Sequence, residues 1–333
     1  MKVYMSHWTV PTMRELIQKY TNGNNDFPHE VEMVKKSVEF LNKAYGEVHF
    51  ITDNEGAKKF SSIEWASVDT SLNSLPKEYY HTWSLGKIKA YNIIAQKGEP
   101  FLHFDGDFFI NQRLPKDIEE KPIIFQNTEA ANYNDNYVIY AFRWFCPFKH
   151  LTSTNDIFTL NNKKNCSKQY NGLLPFNAYN CGIVGGSDLD YFFNYSESSL
   201  RTVFDPFNKP FWTTDFRVSK RYHEGMRSWT LAILAEQYYA SLVADHMGKS
   251  PYFLSCPNTE DPLVEKRIKD WLGSDQLEFE FNEEETNKFK WIHLYGHFKL
   301  HYEQIFHKKI YKREDPFWGT SLYNKKYILN KEQ

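Results

Sequence analysis

Apolar positions along the chain fall into two spacings. Short apolar runs at 3–8, 48–52, 101–110, 121–126, 137–145 and 177–186 read as strands. Helical spacing appears at 29–45, where Val34, Val38, Leu41 and Tyr45 form one stripe and Glu32 and Lys36 can pair on the polar face. Further helices are expected at 12–20, opened by the capping-box spacing of Thr12 and Glu15, and at 83–97. A long helix over 229–247 follows Ser228, and a last one covers 300–310. Strand, helix, strand at the start of the chain is a βαβ opening, which predicts an α/β fold. No GxGxxG or Walker sequence accompanies it, which argues against dinucleotide oxidoreductases and P-loop enzymes.

The most informative run is Phe101-Leu102-His103-Phe104-Asp105-Gly106-Asp107-Phe108-Phe109-Ile110. Read as a buried strand, it places Asp105 and Asp107 at or just past its carboxyl end, where open α/β sheets hold ligands. Two crowded carboxylates repel unless a cation neutralises them, and hard oxygen ligands suit Mg²⁺ or Mn²⁺. The alternative is a hairpin, for which Asp-Gly is a strong signal. Asp53, after the second strand, either holds a ribose or base or simply caps a turn. Lys87 and Lys89 lie on the helix before the organising strand. Either can point at an anionic ligand near Asp105 or be merely solvated.

Composition narrows the classes. The chain has 333 residues and a formal net charge of -2, with both signs mixed throughout, so a global nucleic-acid-binding field is not expected. Its four cysteines show no CxxC spacing and read as free thiols of a reducing compartment. The N-terminus lacks the pattern of a signal peptide, and no run reaches membrane-span length. A cytoplasmic protein, at most peripheral to the inner membrane surface, is expected. The polar stretch 151–172 reads as an excursion.

Three later motifs carry chemistry. Asn180-Cys181-Gly182 lies in a short strand where glycine admits a close approach to backbone. Glu236-Gln237 interrupts an apolar helical stretch, and a carboxylate there is costly to bury unless paired or useful. His293, Gly296 and Lys299 form an HxxGxxK pattern: imidazole for a metal, glycine for close backbone approach to phosphate, lysine for its charge.

With the upstream DxD, these motifs resemble the nucleotide-sugar glycosyltransferases of the GT-A fold, most closely the retaining family that includes glycogenin and the lipooligosaccharide galactosyltransferases. The resemblance implies a GT-A-like, Rossmann-like mixed sheet flanked by helices in a single catalytic domain over 1–333. Its part from 256 to 333 returns to the DxD and completes the nucleotide and metal site. It implies that Asp105, Asp107 and His293 hold Mn²⁺ or Mg²⁺, and that Gly296 and Lys299 bind the diphosphate of a UDP-sugar. Asn180 then borders the donor sugar. Glu236, a variant of the family's usual aspartate, acts as base or charge stabiliser, and Gln237 orients hydroxyls. Trp144 and Trp212 are candidates for an acceptor platform or for the core. The implied acceptor is a carbohydrate or a lipid-linked hydroxyl, as in polysaccharide biosynthesis. The rivals are a DxD-type phosphohydrolase and an inactive binding protein of the same fold.

Overall fold

The computed structural model describes residues 1–10, 30–80, 82–110, 112–129, 178–206, 208–213, 232–255 and 291–293. The expected elements at 12–20, 137–145, 151–172 and 300–310, along with Trp144, Gly296 and Lys299, lie outside the described residues.

Seven strands form the main sheet, in the order β3-β2-β1-β4-β7-β6-β8. These are β1 (Lys2–His7), β2 (Val48–Thr52), β3 (Ser67–Asp69), β4 (Phe101–Phe104), β6 (Ile124–Glu129), β7 (Ala178–Gly186) and β8 (Tyr252–Phe253). β3, β2, β1 and β4 run parallel, whereas β7 is antiparallel to both β4 and β6. This is the mixed α/β sheet expected. Its strands alternate between two apolar layers, as period-two side chains must. Val3, Met5, Leu102 and Phe104 enter one core, and Tyr4 and Phe101 the other.

Helices cover both faces. Helix α1 (Glu30–Tyr45) buries Val34, Val38 and Leu41 on the first face, along the stripe its spacing foretells. Lys36 takes Glu39 as its partner at 2.9 Å, where the spacing had suggested Glu32. A short helix α2 (Asn54–Lys59) follows β2. On the second face, α3 (Leu85–Gln96) is buried around most of its circumference because it lies between the sheet and α4 (Leu189–Phe204). Beyond them runs the stretch expected as one helix over 229–247. Its described part contains a π-helical turn, Leu234–Tyr238, that leads into α5 (Tyr239–His246).

Two strand readings need correction. The strand expected at 121–126 begins three residues later, as β6. Pro122, inside the expected range, has no N–H for a ladder. Its carbonyl instead accepts from Asp188 N. More consequentially, the organising run is neither one strand nor a hairpin. It divides into β4 and β5 (Phe108–Ile110), which do not pair with each other. β5 leaves the main sheet and pairs antiparallel with β9 (Trp291–His293).

Both halves remain buried, but against different partners. Phe108 stacks on Trp291 with ring centres 5.2 Å apart, and Ser37 of α1 donates to the Phe108 carbonyl. Asp105-Gly106-Asp107 is therefore a step between two sheets, with α1 lying directly over it. A Cβ added at Gly106 would sit 2.8 Å from Val34 Cγ2. Valine is stiff at χ1 and has little room to yield.

Gly106→Ala is accordingly expected to cost about 1–3 kcal/mol, the usual range for overpacking a well-filled core. Denaturant unfolding measures it. Adding Val34→Ala to the same chain should return part of that loss. Strict additivity of the two changes would show that the helix does not press on the step.

Candidate metal centre and its buried counter-charges

The antiparallel register explains how distant residues meet. β5 begins immediately after Asp107, and its first residue, Phe108, lies opposite His293. His293 is thereby brought beside the step. Its Nε2 lies 3.3 Å from Asp107 Oδ1 and 3.8 Å from Asp105 Oδ2. One ligand atom from each of Asp105, Asp107 and His293 falls within 4.8 Å of the others. Backbone bonds fix the step itself: Asp105 N donates to the Gly182 carbonyl at 2.9 Å, and Phe108 N donates to the Asp105 carbonyl at 3.0 Å. Asp107 and His293 are buried, whereas Asp105 is partly open.

Two carboxylates and an imidazole form a donor set suited to a divalent cation. The electrostatics agree. Burial raises the Asp105 carboxyl above its ordinary range, Lys87 pulls it back, and the neighbouring Asp107 adds to the rise.

Behind the three lies a second ring of charge. Lys87 Nζ reaches Asp105 Oδ1 at 2.8 Å, Glu236 Oε1 at 2.9 Å and the Cys181 carbonyl at 3.0 Å. Burial alone would lower this ammonium, but Asp105 and Glu236 outweigh it and hold it above the usual lysine range. Tyr91 Oη donates to Glu236 Oε1 at 3.2 Å. Burial, followed by the charge of Glu236, keeps that phenol protonated. Glu236 is 1% exposed, and burial pushes its carboxyl up to about 6 against the pull of Lys87. It sits in the π turn, a distortion frequent at functional sites. When all three are ionised, Asp105, Asp107 and Glu236 exceed Lys87 by two negative charges. A divalent cation matches that excess.

The strand beneath is irregular at the same point. From the Phe125–Val184 pair to the Asn127–Asn180 pair, β6 advances two residues while β7 advances four. At this point the Cys181 carbonyl accepts from Lys87, and the Gly182 carbonyl accepts from Asp105 N in continuation of the β4–β7 ladder. Asn180 Oδ1 accepts from Gly182 N at 3.0 Å and braces the bulge. A side chain at Gly182 would collide with Gln126 Oε1 and the His293 ring. The close approach expected there is thus made by protein groups.

The other sequence candidates fall as follows. Asp53 behaves as a cap: Oδ1 accepts from Gly56 N at 2.7 Å, and Oδ2 accepts from Thr9 N at 2.8 Å and Thr9 Oγ1 at 2.7 Å. Lys87 faces the cluster, whereas Lys89 is half-buried elsewhere on its helix. Gln237 is half-buried and its side-chain oxygen has no partner. Trp212 is fully buried, as a core residue would be.

Tyr91 and His103 belong to the site without any motif in the sequence to mark them. His103 is buried behind the cluster, 2.8 Å from Ser6 Oγ, with its ring edge-on to Tyr91. Burial, with Lys87 second, keeps it neutral. Gln126 was missed as well. Its one sequence signal is an amide closing the apolar run Ile123-Ile124-Phe125.

Lys87→Met would leave Asp105 and Glu236 buried without their counter-ion. Breaking a buried pair in this way costs about 3–5 kcal/mol. The double variant Lys87→Met/Glu236→Gln should regain a measurable part of that loss in denaturant unfolding, giving a non-additive cycle. Additive losses would mean that the two groups do not depend on each other.

The profile of a family described as "Family of unknown function (DUF6734)" matches residues 1–315. Among solved structures, the chain is similar to mouse xyloside xylosyltransferase 1 in its apo form, with a TM-score of 0.38 and 10% identity, covering 88% of this chain and 96% of that one. No curated protein matches the chain.

Proposed function

We propose that this chain, which belongs to the DUF6734 family, is a metal-dependent glycosyltransferase. In this reading it transfers a sugar from a nucleotide-sugar, a UDP-sugar by the resemblance above, to a hydroxyl of a carbohydrate or lipid-linked acceptor. One observation carries the proposal. The Asp105–Asp107 step and His293 converge, with ligand atoms within 4.8 Å, at the carboxyl end of a central parallel strand. The whole chain acts as a single catalytic domain, and the part from 256 to 333 completes the site.

Asp105, Asp107 and His293 would hold Mn²⁺ or Mg²⁺. An ion bound there supplies positive charge against the diphosphate that leaves with the nucleotide. Lys299 adds a compact charge to the same diphosphate, and Gly296 lets backbone N–H groups approach it. Lys87 pairs with Asp105 and favours its ionised form, which makes the contribution of Lys87 to donor binding indirect. Glu236 has one oxygen committed to Lys87 and Tyr91. It acts as a fixed negative charge that stabilises the sugar as positive charge develops on it. Asn180, braced by Gly182, borders the donor sugar, and Gln237 orients hydroxyls. Asp53 retains its capping role and shapes the loop after β1 through Thr9. No helix among the described residues is long and apolar enough to cross a membrane.

The test combines thermal shift with turnover. UDP and Mn²⁺ together should raise the melting temperature, by about 2.7 kcal/mol of stabilisation at a hundredfold excess over Kd. Either one alone should do much less. Wild type should hydrolyse a UDP-sugar slowly in Mn²⁺, and Asp107→Ala should lose that turnover at least ~100-fold, the scale of a removed electrostatic contact. Stabilisation by a metal-free phosphate ester, with none by UDP and Mn²⁺, would favour the phosphohydrolase. Binding without turnover would favour the inactive protein.

A further inference from the structure

Gln126 is completely buried, yet neither its side-chain oxygen nor its side-chain nitrogen has a hydrogen-bond partner. Its backbone is not the reason for its presence, because the Gln126 carbonyl is served by Ser255 N at 3.0 Å whatever side chain stands there. A buried amide left unpaired costs about 1–3 kcal/mol, so an apolar residue of similar size would make this strand more stable. The side chain is also aimed at a particular place. Gln126 Oε1 and the His293 ring, through Nδ1 and Cε1, crowd the same small space above Gly182, which lacks the side chain that would otherwise fill it. The opposite edge of that imidazole, Nε2, faces Asp107 and Asp105.

We infer that Gln126 is a positioning residue for the metal centre. When His293 Nε2 takes a metal, the Gln126 side-chain oxygen, otherwise unpaired, accepts the Nδ1–H of His293 and thereby holds the Nε2 lone pair toward Asp105 and Asp107. A histidine that gives one ring nitrogen to a metal carries its proton on the other, and the acceptor of that proton sets tautomer and ring orientation. Gln126 lies on the correct side of the ring for this task, and Gly182 provides the room for it. Gly182 lies within the bulge in β7. The inference rests on the metal-centre reading and adds to it the group that orients its nitrogen ligand.

The experiment is Mn²⁺ titration calorimetry on the full chain as wild type, Gln126→Leu and Gln126→Glu, with melting temperatures taken in chelator. Gln126→Leu should bind Mn²⁺ about 10- to 100-fold more weakly, the scale of a lost outer partner. Its metal-free melting temperature should equal or exceed that of wild type. Gln126→Glu retains an acceptor oxygen and should restore binding to the wild-type level or tighter. The inference is overturned if Gln126→Leu binds within twofold of wild type, or if its affinity falls only in step with its metal-free stability. Wild type that binds no Mn²⁺ would instead overturn the metal centre itself, a separate outcome from the same titration.

Discussion

One buried ammonium ties together the parts of this protein that matter most for its chemistry. Lys87 comes from α3, Asp105 from the end of β4, Glu236 from a π turn, and the Cys181 carbonyl from the bulge in β7. Each of these features is unfavourable on its own. A buried lysine, a buried glutamate, a π turn and a strand bulge all cost free energy. Together they satisfy one another, because the charges are opposite and the bulge supplies the remaining acceptor. The local irregularities therefore meet at one ammonium, that of Lys87. Since the carboxylates still outnumber that lysine, the cluster retains an excess negative charge next to the step at Asp105–Asp107.

That step has a geometric constraint of its own. An apolar run can continue as one strand only if a single set of neighbours covers it. Here Phe101–Phe104 is covered by β1 and β7, whereas Phe108–Ile110 is covered by α1 and β9. The three residues between cross from one sheet to the other, and there the two carboxylates come beside His293. Antiparallel pairing with β9 then places His293 opposite the first residue after Asp107. The ligand set follows from strand register rather than from a flexible loop, which is the kind of support a metal site needs.

Much of this was legible in the sequence, for identifiable reasons. The stripe on α1 and the run of β2 are local patterns and appear where expected. Asp105, Asp107 and His293 were legible because two aspartates at the end of an apolar run and a histidine in a phosphate-suited motif each have a narrow range of uses. The division of β4 from β5 was not legible, since it depends on pairing with a strand far along the chain. Lys87 and Lys89 are equivalent on paper; packing distinguishes them by gathering Asp105, Glu236 and the Cys181 carbonyl around Lys87. At Gly182 the sequence promises a close approach to backbone but does not say that Gln126 and His293 make it. Asp53 was ambiguous between cap and ligand, and its three backbone and hydroxyl donors decide for the cap.

The central claim is that Asp105, Asp107 and His293 together hold one divalent cation. Pulsed electron paramagnetic resonance of the Mn²⁺-loaded chain tests it most directly, because nitrogen bound to manganese gives its own modulation. The account predicts a single bound Mn²⁺ coupled to one imidazole nitrogen, with that coupling absent in His293→Gln while the chain remains folded. Manganese bound with no nitrogen coupling, or the same coupling in His293→Gln, would contradict it.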